Sequence, residues 1–335
     1  MLIDKIKSEI KKGIEFPKKF FLRKKIQKKL MMFIYGVNIE TTNVCNANCT
    51  FCAYQYQTRD MGIMSEQLFK KIVQEYSVLG GGSLGLTPTV GEPLADKHIL
   101  NRVNFARNFN NINSIGFYSN LISVKNFGAE NIISSGLTDL VLSTSGFDEE
   151  MYTRVYRSKQ YKKMYQNLID LVEINNKRNN PVNISVSMRS DKSEKETRNF
   201  KDYIELTKIL PPKKIDYKYR YDDWAGKVST LDLTGTMKLR NKNLTFRISP
   251  CAEFYSGPHI YWNGDVGICG CRDVDAKELI IGNANNKTLK EIWYNKEHLT
   301  LMNEFMKKPK DICKKCSHYN NISVLDPSKP TAKIL

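Results

Sequence analysis

Three cysteines fall within eight residues, Cys45-Asn-Ala-Asn-Cys49-Thr-Phe-Cys52, at C-x3-C-x2-C spacing just after a strand-like run. Three thiolates can hold three corners of a cubane iron–sulfur cluster and leave its fourth iron without a protein ligand. An open coordination position is what separates a reactive metal centre from a structural one. The competing reading is a zinc knuckle. Zinc would want a fourth ligand nearby to close its tetrahedron, and no Cys or His falls between residues 53 and 97. The other five cysteines, Cys251, Cys269, Cys271, Cys313 and Cys316, all lie beyond residue 250.

The elements that must position the first loop can be read from periodicity. From residue 36 short apolar runs alternate with helical patterns. Strands are expected at Val37–Thr41, Leu84–Val90, Ser114–Tyr118, Asp139–Ser143, Val182–Ser187 and Lys214–Tyr219, with helices near 65–78, 96–109, 123–134, 150–175 and 193–208. Ser65 is a suitable cap for the first helix. Six strands joined by helices predict an α/β fold with a parallel sheet and right-handed crossovers. Periodicity does not say whether that sheet closes. In either case the loops at the carboxyl ends of the strands carry the site, and the cysteine loop follows the first strand. After about residue 245 the character changes. Ile260 to Ile268 alternates around Asn263-Gly264, which predicts a two-residue hairpin turn, and a helix is expected from about 289 to 306 behind a Thr288/Glu291 capping box.

Composition sets outer limits. The 335 residues are 41% hydrophobic and 26% charged, and no uninterrupted apolar run reaches the ~20 residues needed to span a bilayer. Lysines interrupt every apolar run near the N-terminus, so no signal-peptide core is read there and the expected location is the cytoplasm. Eight cysteines in a reducing compartment argue for metal binding over disulfides. The net charge is +17, of which residues 1–34 supply +8 through eleven Lys/Arg against Asp4, Glu9 and Glu15. Ile3, Ile6, Ile10 and Ile14 recur there at helical spacing opposite lysines. Such a basic amphipathic helix can make peripheral contact with the inner membrane face, or simply cap the next domain. The rest of the basic surface does not by itself demand nucleic acid.

The run from Ile39-Glu-Thr-Thr-Asn-Val to the three cysteines resembles the first strand and cluster loop of radical S-adenosylmethionine (SAM) enzymes. The resemblance implies a partial (β/α)6 TIM-like barrel in which Cys45, Cys49 and Cys52 hold a [4Fe–4S] cluster. In that family SAM chelates the fourth iron, is cleaved by one electron to methionine and a 5′-deoxyadenosyl radical, and the radical abstracts a substrate hydrogen atom. It also implies that Phe51 lies near the adenine. Thr87-Pro-Thr-Val-Gly91-Glu92-Pro93-Leu94 resembles the family's second-strand motif, with Val90 in place of its first glycine. That makes Gly91 and Glu92 candidates for the SAM amino group. Tyr118-Ser-Asn120 resembles the third-strand end, Ser143 and Ser145 at the fourth are candidates for the ribose hydroxyls, and Arg189 after the fifth for the SAM carboxylate.

The C-terminal cysteines resemble the auxiliary iron–sulfur domain of SPASM or shortened twitch type, in which a hairpin and a late CxxC pair supply ligands. The resemblance implies one auxiliary [4Fe–4S] cluster held by Cys251, Cys269, Cys313 and Cys316. Cys271 is left over, as a spare thiol or as a replacement for one of these; a zinc site with four cysteine ligands is the competing reading. The expected organisation is an N-terminal extension (1–34), a radical SAM core (35–245), an auxiliary cluster domain (246–320) and a tail (321–335). His98, His259, His298 and His318 show no metal-ligand pairing.

A fully ligated auxiliary cluster is suited to accepting or relaying an electron, which favours oxidation of a C–H beside a hydroxyl or amine, with Asp223 as a candidate base. Relatives with one auxiliary cluster include aminocyclitol dehydrogenases, so the implied substrate is a small polar metabolite such as a sugar or aminocyclitol derivative. The implied electron donor is a flavodoxin or ferredoxin. The alternative is a peptide-modifying enzyme served by a separate leader-binding partner, since the chain offers no room for a leader-binding domain of its own. A zinc protein acting on nucleic acid is the remote third.

Overall fold

The computed structural model describes residues 31, 33–240, 247, 250–270 and 272–320. The basic amphipathic segment, Cys271 and the tail therefore fall almost wholly outside the described residues. Six strands, β1 (Gly36–Ile39), β2 (Gly82–Gly85), β3 (Ile112–Ser119), β4 (Asp139–Ser145), β5 (Asn183–Arg189) and β6 (Ile215–Lys218), pair in parallel in that order. Strand β2 is shorter than expected. Pro88 has no N–H for a ladder, and Thr87–Gly91 instead forms the loop that faces the cysteines. The helices that pack on the sheet include α1 (Glu66–Val78), α2 (Ile99–Arg107), α3 (Ala129–Ser134), α4 (Glu149–Tyr156), α5 (Tyr161–Lys177), α6 (Glu194–Arg198) and α7 (Lys201–Thr207). Ser65 caps α1, its Oγ accepting from Leu68 N at 3.2 Å. The helix expected at 150–175 is two, because Arg157 adopts a left-handed φ of 50° that ends α4.

Side chains alternate between the two faces along the strands, and the register aligns those faces. Phe117, Leu140 and Ile184 form one buried apolar row, with the Leu84–Ile115 pair before it and Leu142, Val186 and Met188 further along the same face. The opposite face carries Tyr118, Val141 and Ser185 in one row and Ser143, Ser187 and Asp216 in the next. A closed eight-stranded barrel fills its interior with bulky branched side chains. Here the inner face is largely polar, and among the described residues the sheet ends at β6 without closing onto the other edge.

That other edge is formed by the C-terminal region. Strands β9 (His259–Ile260), β10 (Asp265–Gly267) and β11 (Ile280–Asn283) extend the sheet beyond β1. Strand β9 lies parallel to β1, pairing Asn38 with His259, while β9–β10–β11 are antiparallel. Short β7 (Arg220–Tyr221) and β8 (Lys238–Leu239) pair separately. The hairpin turn differs from the two-residue expectation. Tyr261 N bonds Asp265 O at 2.9 Å and Gly264 N bonds Tyr261 O at 2.9 Å, enclosing three residues with Gly264 at φ 92°. This is the turn-plus-left-handed-residue loop that a glycine at the third position permits. Helix α8 (Glu253–Ser256) precedes the hairpin. The expected helix at 289–306 divides into α9 (Leu289–Trp293) and α10 (Lys296–Glu304), with Asn295 capping the second; α11 (Asp311–Lys315) follows. The Thr288/Glu291 capping box is present.

Candidate active site

The loop after β1 is pinned from three sides. Glu92 N donates to Val44 O at 2.8 Å, Thr50 N to Val155 O at 2.9 Å, and the Tyr54 hydroxyl is 3.2 Å from Cys45 N. It brings Cys45, Cys49 and Cys52 to one wall of a cleft of about 190 Å³, whose lining also includes Phe51, Gly91, Glu92, Asn120, Ser143 and Arg189. Most of the residues singled out from sequence thus meet at the carboxyl ends of β1 to β5. Burial pushes the Cys45 thiol up to about 12 and that of Cys52 to about 11, and raises Cys49 as well. Metal-free, these thiols keep their protons, so loading a metal must release them.

Gly91 sits at φ 140°, and a Cβ there would approach the backbone of Asn43 to 3.0 Å. The position therefore calls for glycine and lets the β2 loop lie against the cysteine loop. Glu92 is buried and accepts from Ser119 Oγ at 2.7 Å, Asn120 N at 2.7 Å and Leu94 N at 3.1 Å. Burial raises its carboxyl to about 7, against the lowering effect of those bonds. Asn120 Nδ2 in turn donates to Asn46 Oδ1 at 2.7 Å. One carboxylate thus ties the ends of β2 and β3 to the cysteine loop.

An aromatic and cationic group adjoins the cysteine loop. The Arg189 guanidinium lies 5.0 Å over the Phe51 ring and donates to Ser143 Oγ at 2.7 Å. Phe51 stacks on Tyr221 at 5.3 Å and meets Tyr156 edge-on at 5.5 Å; the Tyr156 hydroxyl is 2.9 Å from Ser143 Oγ. Tyr156, Tyr221 and Ser119 were not legible as site residues, because each sits in an ordinary helix or strand pattern. Two expected residues stand apart. Ser145 is buried, its Oγ turned to Gly146 O at 3.1 Å, and does not line the cleft. Asp223 Oδ1 accepts from Ser317 Oγ at 2.8 Å, while Asp223 N donates to the same hydroxyl at 2.8 Å. That bond draws its carboxylate towards the C-terminal cysteines and away from the cleft.

The C-terminal thiols gather in a second, strongly apolar pocket. Cys251, Cys269, Cys313 and Cys316 line it together with Phe254, Leu279, Ile312 and Tyr319. Burial pushes Cys251 and Cys313 up to about 12. Arg247, unsuspected from sequence, donates to the carbonyls of Cys313, Lys314 and Cys316 at 2.8, 3.0 and 2.9 Å and so braces the CxxC turn. Between the two pockets runs a strained turn in which Trp224, Ala225 and Gly226 have φ of 51°, 56° and 92°. It places Trp224 in the wall of the first cleft, its Nε1 donating to Phe51 O at 2.9 Å. Arg272, in the wall of the second pocket, lies 4.6 Å over the Trp224 ring and pairs with Asp222 at 2.6 Å.

Three thiols lining one cleft beside a glycine cradle, and four lining a separate apolar pocket, fit an open and a closed iron–sulfur site respectively. Comparison with known proteins agrees with that division. The model of the radical SAM superfamily matches residues 39–204, and that of the SPASM iron–sulfur cluster-binding domain matches residues 251–317. No curated protein sequence matches the chain. Among solved structures, Streptococcus suis SuiB bound to precursor peptide SuiA is similar over 89% of this chain and 74% of its own, with 16% identity and a TM-score of 0.61. BtrN in complex with AdoMet (SAM) and 2-DOIA is similar over 85% and 93%, with 15% identity and a TM-score of 0.54. Native anSMEcpe with bound AdoMet is similar over 84% and 89%, with 15% identity and a TM-score of 0.55. At these identities the likeness is one of fold. With both family models in chain order, the protein belongs to the radical SAM superfamily and carries a C-terminal SPASM-type iron–sulfur domain; SAM and [4Fe–4S] clusters are its cofactors.

Proposed function

We propose that the protein is a radical SAM oxidoreductase acting on a small polar metabolite. When bound, the cluster and SAM supply an electron and a 5′-deoxyadenosyl radical that removes a hydrogen atom from substrate. Cys45, Cys49 and Cys52 would hold that cluster, with Gly91, Glu92 and Asn120 shaping the SAM end of the cleft. Phe51 and Arg189 would offer a flat apolar face and a cation to the remainder. Cys251, Cys269, Cys313 and Cys316 would hold a single auxiliary cluster. The Trp224–Arg272 contact would make one packed wall between the two centres. Asp223, held by Ser317, is left out of the proton path.

The observation that carries the choice of a small polar substrate is the inner face of the sheet. Tyr118, Ser143, Ser185, Ser187 and Arg189 line it, where a peptide's apolar side chain would need an apolar pocket. The peptide-modifying alternative draws on Met61 and Leu231, both exposed. Met61 lies beside Tyr54 of the cleft wall, and Leu231 lies next to Asp232, the partner of Tyr56. The test is anaerobic: reconstituted protein, reductant and SAM are incubated with deuterated sugars and aminocyclitols in one arm and short peptides in the other. Deuterium in 5′-deoxyadenosine from the first arm is expected. Transfer only from peptides would replace this reading with the alternative.

A further inference from the structure

We propose that the hollow on the inner face of β4, β5 and β6 is a subsite for a phosphate carried by the substrate. The proposal rests on the small-metabolite reading above. A cavity of about 300 Å³ lies there, lined among others by Tyr118, Ser185, Ser187, Lys213, Lys214 and Lys218. It adjoins the thiol cleft. Tyr118 lines both, and Arg189 Nη1 reaches Ser143 Oγ in the cleft at 2.7 Å and Ser187 Oγ in the hollow at 3.2 Å. Strand register explains the continuity, because Tyr118–Val141–Ser185, Ser143–Ser187–Asp216 and Arg189–Lys218 are successive cross-strand rows on one face. Among the described residues β6 ends the sheet, and no seventh strand pairs beyond the hollow.

Two features set the class of ligand. First, hydroxyls line the hollow: those of Tyr118, Ser185 and Ser187. Second, the charge is positive. Three lysines face two carboxylates, Asp139 and Asp216. Asp139 is held by Asn183 Nδ2 at 2.7 Å and Thr138 Oγ1 at 2.8 Å and Asp216 pairs with Lys218, so three lysines against two carboxylates leave the lining one positive charge in excess. Among the described residues, the Lys214 ammonium bonds a neutral amide, Asn183 Oδ1. Lysine is a compact charge suited to phosphate, and serine and tyrosine hydroxyls suit a polyol. A molecule with both would be fixed by its phosphate in the hollow and by its hydroxyls along the β4–β5 rows. Its reacting carbon would then be presented to the cleft, and binding remote from the chemistry would go into positioning.

The experiment is anaerobic calorimetry on the SAM-loaded holoenzyme, titrated with inorganic phosphate, glucose 6-phosphate and glucose. The sugar phosphate should bind more tightly than either glucose or phosphate alone. Lys214→Met and Lys218→Met should each weaken phosphate and glucose 6-phosphate by about tenfold, the scale of one charge-assisted hydrogen bond, and leave SAM affinity unchanged. Ser185→Leu, which fills the hollow without removing a charge, should abolish sugar phosphate binding, and it decides the matter where a lysine variant fails to fold. Normal SAM binding with no affinity for either phosphate would overturn the subsite while leaving the radical SAM reading intact. The same holds for phosphate affinity indifferent to all three substitutions. A holoenzyme that binds no SAM would instead overturn the reading beneath it.

Discussion

Among single residues, the three thiols of the cleft carry the sharpest expectation. Cys45→Ala, Cys49→Ala or Cys52→Ala should each abolish SAM cleavage, read as 5′-deoxyadenosine by chromatography, because a cubane that loses one of three ligands has no protein scaffold left to spare. A second residue makes a prediction about pH. His259 is buried, and burial lowers it to about 3, so it stays neutral in the fold. Its Nδ1 faces Asn38 Nδ2 at 2.7 Å and its Nε2 faces Thr89 Oγ1 at 3.0 Å; Thr89 donates to Gly270 O at 2.7 Å and must therefore accept from the imidazole. The unfolded chain takes up a proton near 6.5 that the folded chain refuses until about 3, so stability falls as pH drops through that window. Between about pH 7 and about pH 5 the metal-free protein should lose about 2 kcal/mol through this group, measured as a urea midpoint shift that His259→Gln removes. The cysteines and the Gly91-Glu92 pair were legible because their types and spacing are themselves the chemistry. His259 was not: its role comes from two partners far away in sequence, Asn38 and Thr89.

At the level of elements, periodicity placed all six core strands and the caps at Ser65 and Thr288, since each depends on a local alternation or a local hydrogen bond. It missed the breaks at Arg157 and Asn295. At Arg157 the break is held by a distant contact, its Nη1 to Gln55 Oε1 at 2.8 Å, whereas at Asn295 it is local, the side-chain oxygen accepting from His298 N at 2.7 Å. The joint between β1 and β9 is another non-local feature. Tyr35 N bonds Ser256 O and Asn38 N bonds Pro258 O, both at 3.1 Å, on either side of Gly257. At φ 144°, a Cβ on Gly257 would stand 1.8 Å from Gly36 O. Gly257→Ala should therefore push β9 off β1 and raise hydrogen exchange at Tyr35 and Asn38 at least tenfold, while amides of β4 and β5 keep their protection.

For the whole molecule, the two thiol pockets are separate enclosures joined through the Trp224 turn, so their contents should be separable. Replacing both Cys313 and Cys316 by Ala should remove about four irons per chain by iron assay while SAM cleavage persists. Loss of cleavage along with that iron would mean the second pocket also supports the first. The α/β class was legible from the alternation of strands and helices. That the C-terminal hairpin belongs to the same sheet was not, because edge pairing leaves no mark in either strand. That pairing has a consequence for how the chain is made. Residue 38 waits for residue 259, so at ribosomal rates of about 5–20 residues per second β1 offers a bare edge for roughly 10–40 seconds. A nascent core stalled before the hairpin emerges should recruit holdase chaperones and clump when they are scarce, whereas the completed chain should not.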